Sequence, residues 1–307
     1  YYFKLMHKYK RLVVKELNKI KPDFTISTFG RELDFLSKLN DGSKKIEEVH
    51  VVRKYIRNFH RIENASLPYR FIARYWRYKM DKSVKKLAAV VALTKHDADE
   101  WQRVCHTAYV IPNSLPFEDD KISDVYSSKD IISVGRLSEE KGYDLLIKAW
   151  AMISKKYPGW KIHVYGEGLL KSHLENIVKE NDVETSFLFE TPVTDIQNKY
   201  LSSAFFVSSS HFEGFGMALI EAMACGLPCV SFNCPCGPAD IIKDNEDGFL
   251  VKNGDVKKLS ERIAYMIDNP EERAKMGRRA KGNVKRYSEP VIMEKWRSLF
   301  NHLIEQQ

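Results

Sequence analysis

Short apolar segments alternate with helical patterns through the second half of this 307-residue chain. Segments of strand length and apolar character occupy residues 131–134, 160–165, 186–189, 205–208, 228–232 and 248–251. Because helices separate them, these strands predict a parallel sheet that is covered on both faces. Six such strands predict an α/β, doubly wound, Rossmann-like domain, in which ligands lie at the carboxyl ends of the strands.

The rest of the chain predicts a second domain and two connecting segments. Residues 1–114 show the same alternation with fewer strands, which indicates a Rossmann-like domain without its opening strands. Residues 115–130 are rich in Pro, Asp, Ser and Lys and lack periodicity, so we expect an interdomain linker there. The regular domain then covers 131–287, and we expect the final helix, 288–307, to pack back toward the first domain. The chain begins with Tyr1 rather than Met, which suggests that it is part of a longer protein.

Positive charge is concentrated in residues 53–86. Eleven Lys or Arg residues and two acids give this stretch a balance of +9, whereas the whole chain carries +8. Aromatic residues are interspersed among the cations: Tyr55, Phe59, Tyr69, Phe71, Tyr75, Trp76 and Tyr78. This pattern suits an anionic membrane surface, or a lipid-linked or phosphorylated acceptor. The alternative is a solvated helical face whose aromatic residues pack inward. No nucleic-acid-binding motif accompanies the charge, so we expect no nucleic-acid partner.

Hydropathy and cysteine spacing bear on location and metal binding. The chain has no apolar run near the ~20 residues that span a bilayer, and no signal-peptide pattern. We therefore expect a cytoplasmic protein, peripheral on the inner face of the membrane. Five cysteines at uneven spacing do not suggest a disulfide framework, and the paired Cys/His spacing of a structural zinc site is missing. We expect reduced thiols, no metal and no cofactor.

The first motif with chemical meaning follows the strand at 131–134. This strand ends at Gly135, and Arg136 and Lys141 come before the next helical pattern. A guanidinium, an ammonium and the amides at a helix N-terminus are suited to an anion. The segment predicts a diphosphate site, and the alternative is a capped loop with two surface cations.

The second motif joins two carboxylates to a glycine-containing loop. Glu213 lies in the loop and Glu221 about two turns into the helix that follows. Gly214 and Gly216 allow the backbone to pass close to a ligand where the helix begins. The motif predicts phosphates at the helix N-terminus and sugar hydroxyls on the carboxylates, the alternative being a helix start with incidental Glu residues.

These motifs resemble those of the family-4 retaining glycosyltransferases, which have the GT-B fold of two facing Rossmann-like domains. Residues 134–142 resemble that family's donor-phosphate loop, and 213–221 match its motif of two Glu residues separated by seven positions. Shorter matches lie at 92–95, 111–114, 237–242 and 247–251. The resemblance is strong over about residues 88–287 and weak before them. The opening strand and Gly-rich loop of the family's N-terminal domain are absent from the chain.

The resemblance implies a role for each matched residue. Arg136 and Lys141 would bind the donor diphosphate, Glu221 the ribose hydroxyls and Glu213 the transferred sugar. The resemblance implies donor-binding roles for Gly135, Arg136, Lys141, Gly166, Gly168, Thr191, Val193, Glu213, Gly214, Phe215, Gly216, Met217, Ala218 and Glu221. Among these, the amides of 215–218 would contact sugar and phosphates, and the loops at 166–168 and 191–193 would flank the base. On the acceptor side, His50 is the candidate that joins Glu213, Arg136 and Lys141 as a catalytic residue.

The expected function is transfer of a hexose or related sugar with retention at the anomeric carbon, without a divalent metal. The co-substrate would be a nucleoside-diphosphate sugar, with UDP as the first expectation and GDP as the second. The acceptor would be a glycan or lipid-linked glycan of surface polysaccharide biosynthesis, such as lipopolysaccharide or capsule. A GT-B sugar-nucleotide epimerase and a catalytically silent nucleotide-sugar-binding protein are the alternatives. A dinucleotide oxidoreductase is disfavoured because no Gly-x-Gly-x-x-Gly follows a strand.

Overall fold

A computed structural model describes residues 2–58, 67–118, 120–123 and 125–306. The chain divides into two compact units. Unit 1 comprises Tyr1–Pro112 with Glu294–Gln307, and unit 2 comprises Asn113–Met293. No helix in the described ranges is both long enough and apolar enough to cross a membrane.

Unit 1 is built on a four-stranded parallel sheet. Its strands, in the spatial order β1-β2-β3-β4, are β1 (Phe24–Ser27), β2 (Lys44–Val49), β3 (Ala89–Ala92) and β4 (Ala108–Val110). Its helices are α1 (Tyr2–Ile20), α2 (Leu33–Leu36), α3 (Leu67–Val84) and α4 (Lys95–Gln102), with a 3-10 segment at Arg53–Asn58. All four residues of β3 are buried, as their apolar character predicts. The Thr94 hydroxyl accepts a hydrogen bond from the Asp97 amide and caps α4.

Unit 2 is a six-stranded parallel sheet with helices between its strands. Its strands are β5 (Asp130–Val134), β6 (Lys161–Tyr165), β7 (Phe187–Glu190), β8 (Phe205–Ser208), β9 (Cys229–Asn233) and β10 (Gly248–Lys252). Its helices are α5 (Tyr143–Ala151), α6 (Lys171–Glu180), α7 (Ile196–Leu201), α8 (Met217–Ala224), α9 (Pro238–Ile241), α10 (Val256–Asp268) and α11 (Pro270–Val284). Short 3-10 turns lie at Glu139–Lys141, Ser154–Lys156 and Lys285–Tyr287. The predicted α/β class and all six predicted strands are confirmed.

The strand order of unit 2 places a switch point at the centre of the sheet. The order is β10-β9-β8-β5-β6-β7, so the chain moves outward from β5 in one direction and then returns to build the other side from β8. Loops that follow β5 and β8 therefore diverge above two adjacent strands. In doubly wound sheets the resulting crevice at the carboxyl ends is where ligands bind.

The described residues of 115–130, where the sequence suggested an interdomain linker, group with unit 2. The Leu115 amide donates to the Tyr287 carbonyl oxygen at 2.9 Å, and the Ser123 amide donates to Cys225 at 2.8 Å. The buried Arg273 guanidinium donates from Nη2 to the Val125 carbonyl oxygen at 2.6 Å. Leu115 and Val125 are buried, and these isolated apolar anchors do not produce the periodicity that a sequence pattern would reveal.

The last helix, α12 (Glu289–Glu305), contains the second boundary between the units. Its residues from Glu294 onward group with unit 1. There the Phe300 ring lies 4.8 Å from the Phe24 ring, and the Lys44 ammonium donates to the Leu303 carbonyl oxygen. Aromatic packing and a charged hydrogen bond thus fix the C-terminal half of α12 against the edge of the first sheet.

Candidate functional site

Two loops at the switch point of unit 2 bring a lysine and a glutamate together. Lys141 follows β5 and Glu213 follows β8, and they are 72 residues apart in the chain. The Lys141 ammonium lies 2.7 Å from Glu213 Oε1. The Ser210 hydroxyl donates to the same oxygen at 2.6 Å. Both charged side chains are largely shielded from solvent: 20% of the Lys141 side chain and 14% of the Glu213 side chain are exposed. The pair therefore lies in a crevice of lower dielectric than bulk water.

The loop that carries Lys141 is fixed by contacts with the β8 loop. The Ser209 hydroxyl donates to the Lys141 carbonyl oxygen at 2.9 Å, and the His211 amide donates to the Glu140 carbonyl oxygen at 2.8 Å. Gly142 adopts a left-handed conformation, with φ of 58°, and a side chain there would clash with the Ser209 carbonyl oxygen. This close approach requires glycine and sets the position of Lys141 relative to Glu213.

Arg136 lies in the same loop but outside this buried cluster. Its side chain is 80% exposed, and Nη2 lies 3.1 Å from Glu140 Oε1. The structure therefore brings Lys141 and Glu213 into direct contact and leaves the Arg136 guanidinium exposed to solvent. An exposed guanidinium can reorient toward an anion with little desolvation cost.

Glycines predicted to flank a ligand also bring the β5 and β6 loops together. A side chain at Gly166 would clash with the Gly135 carbonyl oxygen, and one at Gly168 would clash with the Leu137 carbonyl oxygen. A Cβ atom at Gly135 would lie 3.1 Å from Lys141 Cε. Close packing of two loops thus accounts for these glycines, and their contact with a donor stays a prediction.

Helix α8 begins directly beside the Glu213 loop. Gly216 precedes it with φ of 108°, and the Phe215 ring is buried against Tyr287 at 5.3 Å. The buried ring fixes the loop before α8. The first turn of α8 therefore starts at a fixed place, and it includes Met217 and Ala218. The first amides of a helix have no partner within the helix and carry partial positive charge. The segment is therefore suited to an anion, as the sequence motif predicts.

Glu221 lies on α8 and is held by a tyrosine that the sequence analysis did not identify. The Tyr200 hydroxyl donates to Glu221 Oε2 at 2.9 Å. Burial raises the pKa of Glu221, and the hydrogen bond from Tyr200 opposes that shift. The structure gives no contact that joins Glu221 to the Lys141–Glu213 pair.

Thr191 and Val193 lie farther from the cluster. Both are exposed in the loop after β7, which is the edge strand of the sheet. One strand, β6, separates β7 from β5, so the two loops begin about 10 Å apart. Since all six strands are parallel, this loop shares the carboxyl edge with the other site residues, but it does not contact Lys141 or Glu213.

His50 lies in unit 1, directly after β2. Its ring Nε2 is 3.4 Å from Glu48 Oε2, and this hydrogen bond raises the pKa of His50. The more unusual group on this strand is Glu47, which is completely buried. The Phe29 amide donates to Glu47 Oε2 at 3.0 Å, and burial raises the pKa of Glu47 to about 7. Sequence analysis missed Glu47 because successive side chains of a strand face opposite sides of the sheet. The pattern does not show which of the adjacent acids Glu47 and Glu48 faces the core.

The described residues contain no group of three or more His, Cys, Asp or Glu side chains placed to hold a metal ion. All five cysteines are buried thiols rather than members of disulfides. Burial raises the pKa of Cys234, beside the site, to about 12. It is therefore a neutral packing group at ordinary pH.

Fold and site together define an α/β protein in which a lysine and a glutamate meet at the carboxyl edge of a doubly wound sheet. The family model "Glycosyl transferases group 1" matches residues 117–283, more than half of the chain. The chain belongs to this family of group 1 glycosyl transferases.

Several curated proteins are similar in sequence. An uncharacterized glycosyltransferase of Haemophilus influenzae is 33% identical over 68% of this chain and 60% of its own length. A poly(ribitol-phosphate) alpha-N-acetylglucosaminyltransferase of Staphylococcus aureus is 32% identical over 57% of this chain and 36% of its own length. The amylovoran biosynthesis glycosyltransferase AmsD of Erwinia amylovora is 31% identical over 69% of this chain and 62% of its own length. The chain thus spans less than two thirds of these relatives.

Solved structures confirm the GT-B fold. S. aureus TarM, in a complex with UDP, fondaparinux and alpha-GlcNAc-glycerol, superposes with a TM-score of 0.78 at 25% identity, covering 94% of this chain and 58% of TarM. Anabaena Alr3699/HepE, in a complex with UDP, superposes with a TM-score of 0.79 at 18% identity, covering 95% of this chain and 81% of its own. The second likeness is one of fold alone.

Proposed function

We propose that this chain transfers a hexose or related sugar from a nucleoside-diphosphate donor, with retention at the anomeric carbon, to a glycan or lipid-linked acceptor. UDP is the first expectation for the nucleotide and GDP the second. The observation that carries the proposal is the shielded Lys141–Glu213 pair at the switch point, beside the start of α8. The names of the S. aureus and Erwinia relatives support a role in the synthesis of a surface polymer.

The cations of the site are suited to a diphosphate. Lys141 now neutralises Glu213, and an incoming diphosphate would take over the ammonium as its partner. Arg136 would close on the phosphates from the solvent side, and the first turn of α8 would add amides. Such fixed positive charge stabilises a leaving diphosphate as the bond to the sugar breaks. The chain's own residues would therefore supply the charge that a divalent ion supplies elsewhere.

The two glutamates would then bind different parts of the donor, Glu213 the sugar and Glu221 the ribose. Once Lys141 binds phosphate, the Glu213 carboxylate remains held by Ser210 and can accept hydrogen bonds from the sugar. Positive charge develops at the anomeric carbon during transfer, and a nearby carboxylate stabilises it. Glu221, about one turn into α8, would accept the ribose hydroxyls.

A panel of nucleotide sugars tests the proposal. Binding to the native state alone raises the melting temperature, so the correct donor should stabilise the chain more than the other members of the panel. With acceptor present, NMR of the product should show the anomeric configuration of the donor. Inversion would refute the retaining mechanism, and a new epimer formed from donor alone would favour the epimerase. Binding without any transfer or hydrolysis would favour the silent binding protein.

We also infer that α3 contacts an anionic membrane surface. Its Tyr69, Phe71, Tyr75 and Tyr78 side chains are exposed rather than packed inward, as are Leu67 and Ile72. A cleft of about 590 Å³ is lined by Arg70, Arg74, Arg77, Leu67 and Phe71. Exposed aromatic residues beside arginines suit the interface of an anionic bilayer. Residues 59–66 of the basic stretch, with Phe59, lie outside the described residues.

Vesicle binding tests this surface. The chain should partition onto vesicles that contain anionic lipid, and the partitioning should weaken steeply with salt. The pair of changes Arg70→Glu and Arg74→Glu should abolish it. Lys179→Glu with Lys257→Glu, an equal charge change on exposed positions of unit 2, should preserve most of it. Equal partitioning onto neutral and anionic vesicles would contradict the inference.

A further inference from the structure

A buried tyrosine donates a hydrogen bond to Glu221, one of the residues of the candidate site. Tyr200 is completely buried on α7, and its hydroxyl donates to Glu221 Oε2 at 2.9 Å. Its ring packs near that of Phe206 on β8, with centroids 6.2 Å apart. The Asp195 side chain caps α7 by accepting from the Asn198 amide, which fixes the start of the helix. The phenol is therefore held in one place by packing and by the geometry of its helix.

The hydrogen bond leaves the other half of the carboxylate available. Oε1 of Glu221 has no hydrogen-bond partner among the residues that the structure describes, and the side chain is only partly buried. A carboxylate offers acceptor positions on both oxygens, so one can be held from behind while the other faces a ligand. A flexible glutamate that is fixed in this way loses less conformational freedom when a ligand binds.

Tyr200 stays a donor across the working pH range. Burial raises the pKa of Tyr200 well above its ordinary value, and the neighbouring Glu221 raises it further. The other titratable groups that act on this hydroxyl are Cys225, directly after α8, and Cys229 of β9. The phenol proton thus remains on the oxygen and is directed at the carboxylate.

We propose that Tyr200 is a positioning residue that holds the Glu221 carboxylate in the orientation in which Oε1 accepts the ribose hydroxyls of the bound nucleotide. This proposal rests on the function proposed above. Tyr200 itself would not touch the nucleotide and would act only through Glu221. It would affect the binding of the nucleotide part of the donor rather than the transfer of the sugar.

A purely structural tyrosine would behave differently. Removal of its hydroxyl would lower the free energy of unfolding without a specific effect on nucleotide affinity. Any effect on affinity would add to the effect of other substitutions. A positioning residue has no further effect once the group that it positions is gone, so its contribution to binding is not additive with that group.

The test compares Tyr200→Phe with a matched control. Calorimetry with free UDP and free GDP should show about tenfold weaker binding of the preferred nucleotide to Tyr200→Phe, as expected for a lost hydrogen bond to a charged group. The turnover rate at saturating donor should stay close to that of the wild type. The control is Tyr157→Phe, which removes a 2.7 Å hydrogen bond to Asp268 from another buried tyrosine of unit 2 and should leave nucleotide affinity unchanged.

A double variant tests whether Tyr200 acts through Glu221. In a Glu221→Ala background the Tyr200 hydroxyl has already lost this partner. Tyr200→Phe should therefore not weaken nucleotide binding further, and its effect on the melting temperature should shrink. Unchanged affinity of Tyr200→Phe for a nucleotide that binds the wild type would overturn this proposal alone. An additive loss in the double variant would also overturn it. Failure of both UDP and GDP to bind the wild type would overturn this proposal and the donor site on which it rests.

Discussion

Three carboxylates show how surroundings decide the role of an acid. Glu213 accepts hydrogen bonds from the Lys141 ammonium and the Ser210 hydroxyl. Glu221 is partly buried and held by one phenol. Glu47 is completely buried, and its Oε1 lacks a hydrogen-bond partner. Burial with no direct ion pair favours the neutral acid, which is why the pKa of Glu47 rises to about 7.

This burial predicts that Glu47 lowers the stability of the protein as pH rises. The folded-state pKa of about 7 exceeds the ordinary value of 4.5, so the folded state binds more protons between these values. The raised pKa of Glu47 contributes roughly 3 kcal/mol to the free energy of unfolding. This contribution is fully present below pH 4.5 and is lost as the pH rises through 7. Glu47→Gln should remove this component from the free energy of unfolding measured from pH 4.5 to 8. Glu16→Gln, at an exposed position of the same unit, is the control, and an unchanged pH dependence in Glu47→Gln would contradict the prediction.

At the scale of elements, the sequence predicts the sheet better than the loops. Six buried strands in regular alternation leave few alternatives for unit 2, and the two motifs fall at its strand ends. The attachment of 115–130 to unit 2 is not visible in the sequence because two isolated buried residues, Leu115 and Val125, produce no periodic pattern. Ser209 and Ser210 were not identified because their role is to join loops that only the tertiary fold brings together. The one available signal was a run of serines directly after a buried strand.

The contact between the β5 and β8 loops predicts a strong effect of Gly142→Ala. A Cβ atom there would clash with a backbone oxygen of Ser209, and the left-handed conformation adds strain, so stability should fall by about 1–3 kcal/mol. Displacement of Lys141 should also weaken the binding of nucleoside diphosphate. Gly254 has a similar φ of 82° with no atom within 4 Å of an added Cβ, so Gly254→Ala controls for conformation alone. Calorimetry and thermal unfolding should separate the two variants, and equal nucleotide affinity in both would contradict the account of this loop.

On the scale of the whole molecule, positive charge is concentrated in one stretch of the chain. The stretch 53–86 carries a balance of +9 in a chain of net charge +8, so the remainder is close to neutral. The cations of the candidate donor site are therefore a local arrangement rather than part of a general basic surface. This distribution predicts that salt will affect membrane binding much more strongly than nucleotide binding, because partly buried pairs are screened less.

The charge arrangement in unit 2 also predicts that donor binding and transfer are insensitive to chelators. Lys141, Arg136 and the first turn of α8 supply the positive charge that a diphosphate needs. Melting temperature with donor and the rate of transfer should therefore be the same in EDTA and in Mg²⁺. Loss of activity in EDTA that Mg²⁺ or Mn²⁺ restores would contradict this expectation.

The division of labour between Glu213 and Glu221 is the central claim, and calorimetry with free nucleoside diphosphate tests it most directly. Glu221→Ala should weaken binding by ~1.5 to 3 kcal/mol, as expected for a hydrogen bond to a charged group. Glu213→Ala should not weaken it, because this change leaves Lys141 free for phosphate, yet the same variant should transfer sugar far more slowly than the wild type. If Glu213→Ala loses the nucleotide as Glu221→Ala does, or transfers sugar at the wild-type rate, the assignment of Glu213 to the donor sugar is wrong.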